Sequence, residues 1–515
     1  MRELDERTGS TDRKRIVIVL ALVIACIAAA IALLHGPSIP MALTGDSYQL
    51  IQLAHRAAHE PEYLLADLDQ FFRPSATWLL VADRVVWGGY DPAGYRVTSL
   101  LLHLVTCVLL WLVGRRFSLG WVSASLVSLI WCTSPFLSES VFLVACRYQS
   151  LLLAPWLILI LAWPRADEGW NSSRTLTVIG MIFLAAAAKE TWVVTPGLVL
   201  ALELERNKTF REALRAAAAV GAAVVVYLAV YAVTFGSGKP YLESGPHILA
   251  RIPSQLAAFF FLEEPTPFEV VMSWQGVTAF VITAGIAACC FRWRLSGTWV
   301  ALALLTLPTL PTIAVPFMPV RYLAIPYAGF LLLIALWVGG VGVQLPRMRR
   351  AVQAGALLVA VIVMTAGVSI VRADLQDYRR IAGAHQVLLD EAAAVAPAVA
   401  SGAPVAVVRD EQAQPLLEIL REPAGFAKLP YTRHEDPYGL IDTAALFDWV
   451  MSDEHTRVEL VPDWRESCAD VPGRVLVHTR GGFVDTGAAP DLAAEAKNWQ
   501  DAGRHVRVVK AVLLP

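Results

Sequence analysis

The chain has 515 residues, of which 56% are hydrophobic and only 17% charged, with a mean hydropathy of +0.55. A soluble globular chain carries roughly 25% charged residues, so the composition excludes soluble, disordered, coiled-coil and collagen-like classes. The formal net charge of −2 hides an asymmetry: 28 basic against 22 acidic residues up to Arg372, then 14 against 22 from Ala373 onward.

In chain order, the first apolar run covers residues 16–36 and follows the basic stretch Arg13-Lys14-Arg15. It is too long for a typical signal-peptide core and reads as a retained first helix. Further runs cover 95–114, 118–137, 147–163, 175–188, 191–204, 216–235, 270–291, 295–315, 321–345 and 351–371. Most approach the ~20 residues needed to cross a bilayer core. The expectation is a polytopic α-helical membrane protein with about 11 transmembrane helices.

The stretch 175–202 is divided in two because Lys189-Glu190 sits in its middle. A membrane-buried charge pair costs several kcal/mol, and a hairpin that brings it to the surface avoids that cost. With the hairpin, inside segments hold 18 basic residues and outside segments nine. The positive-inside rule then sets the N-terminus inside and the C-terminal block outside.

The first outside loop, about 37–92, is long for a connector. It carries seven acids: Asp46, Glu60, Glu62, Asp67, Asp69, Asp83 and Asp91. Residues 47–59 and 78–87 each present one apolar face, which suits helices lying in the membrane interface. Other charges gather at outside helix ends: Glu139, Arg147, Lys189, Glu190, Arg251, Glu263, Glu264 and Arg321. Arginine and lysine suit phosphate oxygens, and a nearby carboxylate can take a proton from a hydroxyl. An acid over outside-facing cations points to transfer from a lipid phosphate donor. Each charge alone also has a structural reading: a helix-end anchor for an arginine, a helix cap for Asp46, a hydrogen-bonded interior residue for His103. The seven cysteines show no zinc spacing and no disulfide framework.

Beyond residue 372 the pattern predicts a small α/β domain. Its expected elements are helix 374–394, strand 405–408, helices 412–420 and 441–451, strand 474–478, helix 490–501 and strand 506–514. It has no glycine-rich phosphate loop or catalytic triad, and reads as a lid or docking module. The expected domains are 1–372 and 373–515.

Several segments resemble GT-C membrane glycosyltransferases. They are Phe72-Arg73-Pro74, Ala82-Asp83, Trp87-Gly88 with Asp91-Pro92-Ala93-Gly94-Tyr95, and Leu100-Leu101-Leu102-His103. Ser134-Pro135, Ser138-Glu139-Ser140-Val141, Arg147, Ala188-Lys189-Glu190-Thr191, Arg321-Tyr322-Leu323 and Pro326 continue the likeness in order. The branch they are similar to is the tetratricopeptide-containing transmembrane O-mannosyltransferases and their bacterial relatives. Arg96, Gln149 and Val320 stand where that pattern has His, Asp and Glu, and tetratricopeptide repeats are absent.

The resemblance implies a GT-C type fold and a polyprenyl-phosphate-linked sugar donor. It implies transfer of a hexosyl or pentosyl group to a glycan, lipid or protein hydroxyl on the outer face of the membrane, and the missing tetratricopeptide repeats with the Ala/Arg-rich composition point to a bacterial cytoplasmic (inner) membrane. It places the catalytic base at Asp46, with Asp83 as the fallback. It places donor phosphate contacts at Arg147, Lys189 and Arg321, and positioning roles at Arg73, His103, Glu139 and Glu190. No metal ligand is expected from the sequence, a divalent metal requirement is left open, and no nucleic-acid partner is implied. The alternative reading is a polytopic transporter or flippase, which would favour internal repeats and charges near the membrane midplane. A non-catalytic scaffold is the third.

Overall fold

The computed structural model describes residues 10–43, 47–65, 73–88, 91–235, 251–262, 274–311, 320–400, 403–409, 456–461, 464–479, 482–502 and 505–513. Helix occupies part of every expected apolar run: Ser10–Leu34, Pro92–Arg116, Trp121–Cys132, Tyr148–Ala162, Ser172–Ala188, Thr195–Glu205, Phe210–Phe235, Trp274–Arg292, Thr298–Thr306, Ala324–Gln344 and Arg349–Ala400. Among the described residues, six helical stretches are long and apolar enough to cross a membrane. The count is seven if the bent pair Trp121–Cys132 and Pro135–Phe142, 55° apart, is one span. The bend falls at Thr133-Ser134-Pro135, where Pro135 removes a backbone donor. Ile18–Leu34, Ser172–Ala188 and Thr298–Thr309 are apolar but shorter.

The chain leaves its helix at Lys189, whose backbone is extended (φ −166°, ψ 147°). A 3-10 turn over Glu190–Val194 follows, and the next helix begins with proline in its first turn. The break thus coincides with the charged pair.

The described chain forms two compact units. The first takes the described parts of Met1–Pro37, Ser99–Val141 and Tyr148–Ala373. Its helices differ in how they meet their surroundings. Some 83% of the apolar window around Val144–Ala162 is buried, against 11% for Phe210–Val233. The second helix leaves Val225, Val226, Val230 and Val233 exposed, an outward apolar face of the kind that lipid covers. Gly329 lets the helix Ala324–Gln344 approach its neighbour closely. A Cβ there would stand 2.3 Å from the Leu305 backbone nitrogen and 2.7 Å from the Ala301 carbonyl oxygen.

The second unit takes the described parts of Ser38–Thr98, Phe142–Arg147 and Asp374–Pro515. It therefore combines much of the long first loop with the C-terminal block. Its sheet runs in the order β2-β5-β1-β3-β4, with β1 Val405–Arg409, β2 Thr456–Leu460, β3 Gly473–Thr479, β4 Gly482–Ala489 and β5 His505–Leu513. Strands β1 and β3 are parallel and the other pairs antiparallel. Successive side chains of a strand face opposite ways, and β1 uses both faces. Ala406 and Val408 pack with Val475, Val508, Leu492 and Ala496, so the helix Leu492–Asp501 covers that side. Val405 and Val407 pack instead with Leu43, Tyr48, Ile51, Leu80, Leu388 and Val399.

Strands β1, β3 and β5 and the helix after β4 fall where the pattern expects them. Two strands were not expected. Gly482–Ala489 is rich in small residues, and Thr456–Leu460 is a short edge strand with alternate charged residues, so neither shows a strong strand pattern. The expected helix 374–394 is the end of Arg349–Ala400. The expected helices 412–420 and 441–451 lie outside the described residues.

Candidate active site

The first-loop motif is explained first by its turn. The helix Pro74–Trp87 ends on Gly88 in the left-handed conformation (φ 80°), whose amide bonds to the Arg84 carbonyl. Asp91 accepts from the Ala93 amide at 2.9 Å and so caps the helix Pro92–Arg116. A Cβ at Gly94 would lie 2.4 Å from Cγ of Trp87, whose indole nitrogen donates to Thr98 at 3.0 Å. Trp87, Gly88, Asp91 and Gly94 thus fold one helix back against the next. Arg73 stands just ahead of this helix pair, as the residue before Pro74.

Asp83 lies on the first of these helices and is buried, as is Arg147. The two form an ion pair through Arg147 Nη1 and Asp83 Oδ2. Arg147 Nη2 donates to the Tyr95 carbonyl at 3.1 Å and Nε to the Val144 carbonyl at 3.2 Å. Every guanidinium nitrogen of Arg147 is therefore engaged by a protein oxygen. This latch fastens residues 142–147 to the helix Pro74–Trp87 and to the first turn of Pro92–Arg116 within the second unit. A donor phosphate reaching Arg147 would have to displace these buried partners.

Asp46 lies outside the described residues. The segments on either side of it are held. Tyr48 donates to the Leu43 carbonyl at 3.0 Å, and burial pushes its phenol well above the ordinary range, so it stays a neutral donor. Arg96 donates to the carbonyls of Met41 and Ala42. The hydroxyl of Ser47 accepts from the Ala145 amide at 3.3 Å.

The remaining motifs meet in the first unit. Arg321 and Glu139, 182 positions apart, are both buried and pair at 3.0 Å through Arg321 Nη1 and Glu139 Oε2. The Arg321 amide also points to that oxygen at 3.4 Å. Arg321 Nε donates to the Tyr148 hydroxyl at 2.8 Å. The Lys189 ammonium stands over the Tyr322 ring at 4.0 Å and the Tyr148 ring at 5.1 Å. Lys189 is buried, and Glu190 next to it is half-buried. Three motifs spread over the chain therefore form one polar cluster among apolar helices. Two of the three expected phosphate cations, Lys189 and Arg321, share Tyr148 and Tyr322. The sequence reading passed over Tyr148, which has only its place after Arg147 to mark it.

Around this pair, several buried polar atoms have no partner among the described residues: Glu139 Oε1, the Ser138 and Ser140 hydroxyls, and Gln149 Nε2. Buried polar groups in native proteins are nearly always paired, and these four atoms belong to residues next to Glu139 and Tyr148 in the sequence.

His103 lies elsewhere in the expected scheme. It is buried on the helix Pro92–Arg116, with its ring 5.3 Å from that of Trp131 and its Nε2 3.4 Å from the Cys132 carbonyl. Cys107 and Cys132 are its neighbours. The sequence signal for this group is a His and a Cys four residues apart, which a helix places on one face. A cavity of about 620 Å³, lined by Arg116, Arg165, Arg206, Arg294, Glu205 and Trp299 among others, includes none of the expected site residues.

No protein-family model matches the chain, and no curated protein matches it. Two solved structures are similar over 98% of both chains. They are crystal structures of ArnT from Cupriavidus metallidurans, one bound to undecaprenyl phosphate (13% identity, TM-score 0.47) and one in the apo state (14% identity, TM-score 0.44).

Proposed function

We propose that the chain is a GT-C type integral-membrane glycosyltransferase that moves a sugar from a polyprenyl-phosphate-linked donor to an acceptor hydroxyl. One observation carries the reading: Glu139, Arg321, Tyr148, Tyr322 and Lys189 form a single buried cluster beside orphaned polar groups. These residues come from the segments that resemble the glycosyltransferases.

Each member has a task in this scheme. Lys189 and Arg321 bind donor phosphate oxygens, which develop charge as the glycosidic bond breaks. Tyr148 and Tyr322 orient the two cations. Glu139, Ser138, Ser140 and Gln149 offer hydrogen bonds to sugar hydroxyls, and Glu190 positions Lys189. Asp46 accepts the proton of the acceptor hydroxyl. Asp83 suits that task less well, because protonating it would break a buried ion pair, at about 3–5 kcal/mol. Arg73 steadies the first-loop helix that carries Asp83. The resemblance also supports an outer-face reaction in a bacterial inner membrane, with a glycan, lipid or protein acceptor.

The test uses the full chain in sealed proteoliposomes with a panel of radiolabelled polyprenyl-phosphate sugars and a cell-envelope extract as acceptor. The reading predicts release of polyprenyl phosphate together with label on the acceptor. Movement of intact donor across a sealed vesicle without cleavage would establish the flippase reading instead.

A further inference from the structure

We propose that His103, Cys107, Cys132 and His35 form a buried structural zinc site in the first unit, separate from the transferase reaction. The imidazole of His103 and the two sulfurs offer donor atoms that all lie within 4.8 Å of one another. His103 Nε2 and Cys107 Sγ are 4.0 Å apart, one helical turn from each other on Pro92–Arg116. Cys132 is the last residue of Trp121–Cys132, immediately before the bend. A tetrahedral zinc with Zn–S near 2.3 Å and Zn–N near 2.0–2.1 Å holds its donors roughly 3.5–4 Å apart. The three donors thus already stand close to that spacing.

His35 is the candidate for the fourth position, its ring nitrogens lying outside the 4.8 Å group formed by the other three donors. It follows the helix Ser10–Leu34, is fully buried, and sets its ring edge-on to His103 with centroids 5.7 Å apart at 85°. Two imidazoles on one tetrahedral ion place their centroids about 5 Å apart by the same bond lengths. His103 Nδ1 has no partner among the described residues.

Charge decides the ion. Burying an uncompensated charge among apolar helices is expensive. Two thiolates and two neutral imidazoles around a divalent cation sum to zero, whereas a monovalent cation would leave a net negative centre. Sulfur and imidazole donors without a carboxylate favour zinc over magnesium, calcium or manganese. Four protein ligands leave no open position, which is the pattern of a structural site. Such an ion would tie the end of the first helix to Pro92–Arg116 and to Trp121–Cys132.

The experiment is metal analysis of the full chain, expressed with zinc supplied and purified in detergent under reducing conditions. The expected result is about one zinc per chain, cut to less than about one fifth in Cys107→Ser/Cys132→Ser, while Cys26→Ser/Cys289→Ser keeps it. A wild type without zinc, or equal zinc in the Cys107→Ser/Cys132→Ser chain, would overturn the proposal. Cobalt substitution of the wild type needs no variant: thiolate-to-cobalt charge transfer with intense tetrahedral bands is expected, and a spectrum lacking both overturns the site.

Discussion

Two buried arginine–carboxylate pairs sit in the two units and do different work. In the second unit Arg147 gives all three nitrogens to Asp83, Tyr95 and Val144. In the first unit Arg321 pairs with Glu139 and Tyr148, but Glu139 Oε1, Ser138, Ser140 and Gln149 keep unpartnered atoms among the described residues. Burial and charge are alike in both. Buried atoms near the latch, Ser75 Oγ and Arg96 Nε, are also without a partner among the described residues, so the contrast lies in the arginine itself: all three nitrogens of Arg147 have protein acceptors.

Breaking either pair from one side should produce the largest effect. Arg147→Ala and Arg321→Ala each leave a buried carboxylate without its cation, at about 3–5 kcal/mol. Thermal unfolding in detergent should show a lower Tm for both. If Arg321→Ala unfolds at the wild-type temperature, the pair is not buried as described.

Asp46→Asn comes next. Loss of a general base slows transfer by roughly 10²–10⁴-fold, and donor binding should persist. Single-turnover rates with saturating donor measure this. Near-normal turnover in Asp46→Asn with an inactive Asp83→Asn would move the base to Asp83.

Lys189→Met should leave the fold intact and weaken donor use. Its ammonium lies over two tyrosine rings, contacts worth about 0.5–2 kcal/mol each. The expected rise in donor KM is about tenfold, the equivalent of one charged phosphate contact. An unchanged KM would remove Lys189 from the donor site.

Gly329→Ala should act on stability alone. Its new methyl meets backbone atoms of the neighbouring helix, and overpacking of this kind costs about 1–3 kcal/mol. Tm should fall while turnover per folded molecule stays the same.

Much of this was legible in the sequence because the hydrophobic pattern is strong. The apolar runs mark the helices, and the charged pair at Lys189-Glu190 marks a break, since helices shed charges at their ends. The strand run at Val405–Val408 is equally plain. The pairing of Glu139 with Arg321 was not legible, because no local pattern links residues 182 positions apart. The latch role of Arg147 also needed three dimensions: a helix-end arginine reads the same whether it meets a phosphate or a protein carbonyl. The His103–Cys107–Cys132 group was missed because one ligand comes from a different helix. The union of the first loop with the C-terminal sheet rests on Val405 and Val407 facing Tyr48 and Ile51, and alternation alone cannot name a partner.

The most direct test of the contrast is donor affinity in two paired exchanges, Arg147→Met/Asp83→Leu and Arg321→Met/Glu139→Leu. Replacing a whole buried ion pair by apolar residues of similar volume is often neutral for stability, so both chains should fold. Binding of a polyprenyl-phosphate sugar to each chain in nanodiscs should be near wild type for the Arg147/Asp83 exchange. It should fall by at least about 100-fold for the Arg321/Glu139 exchange, the loss of a charge-assisted phosphate contact in a buried site. Wild-type affinity in the Arg321/Glu139 chain, with binding lost in the Arg147/Asp83 chain, would contradict the account.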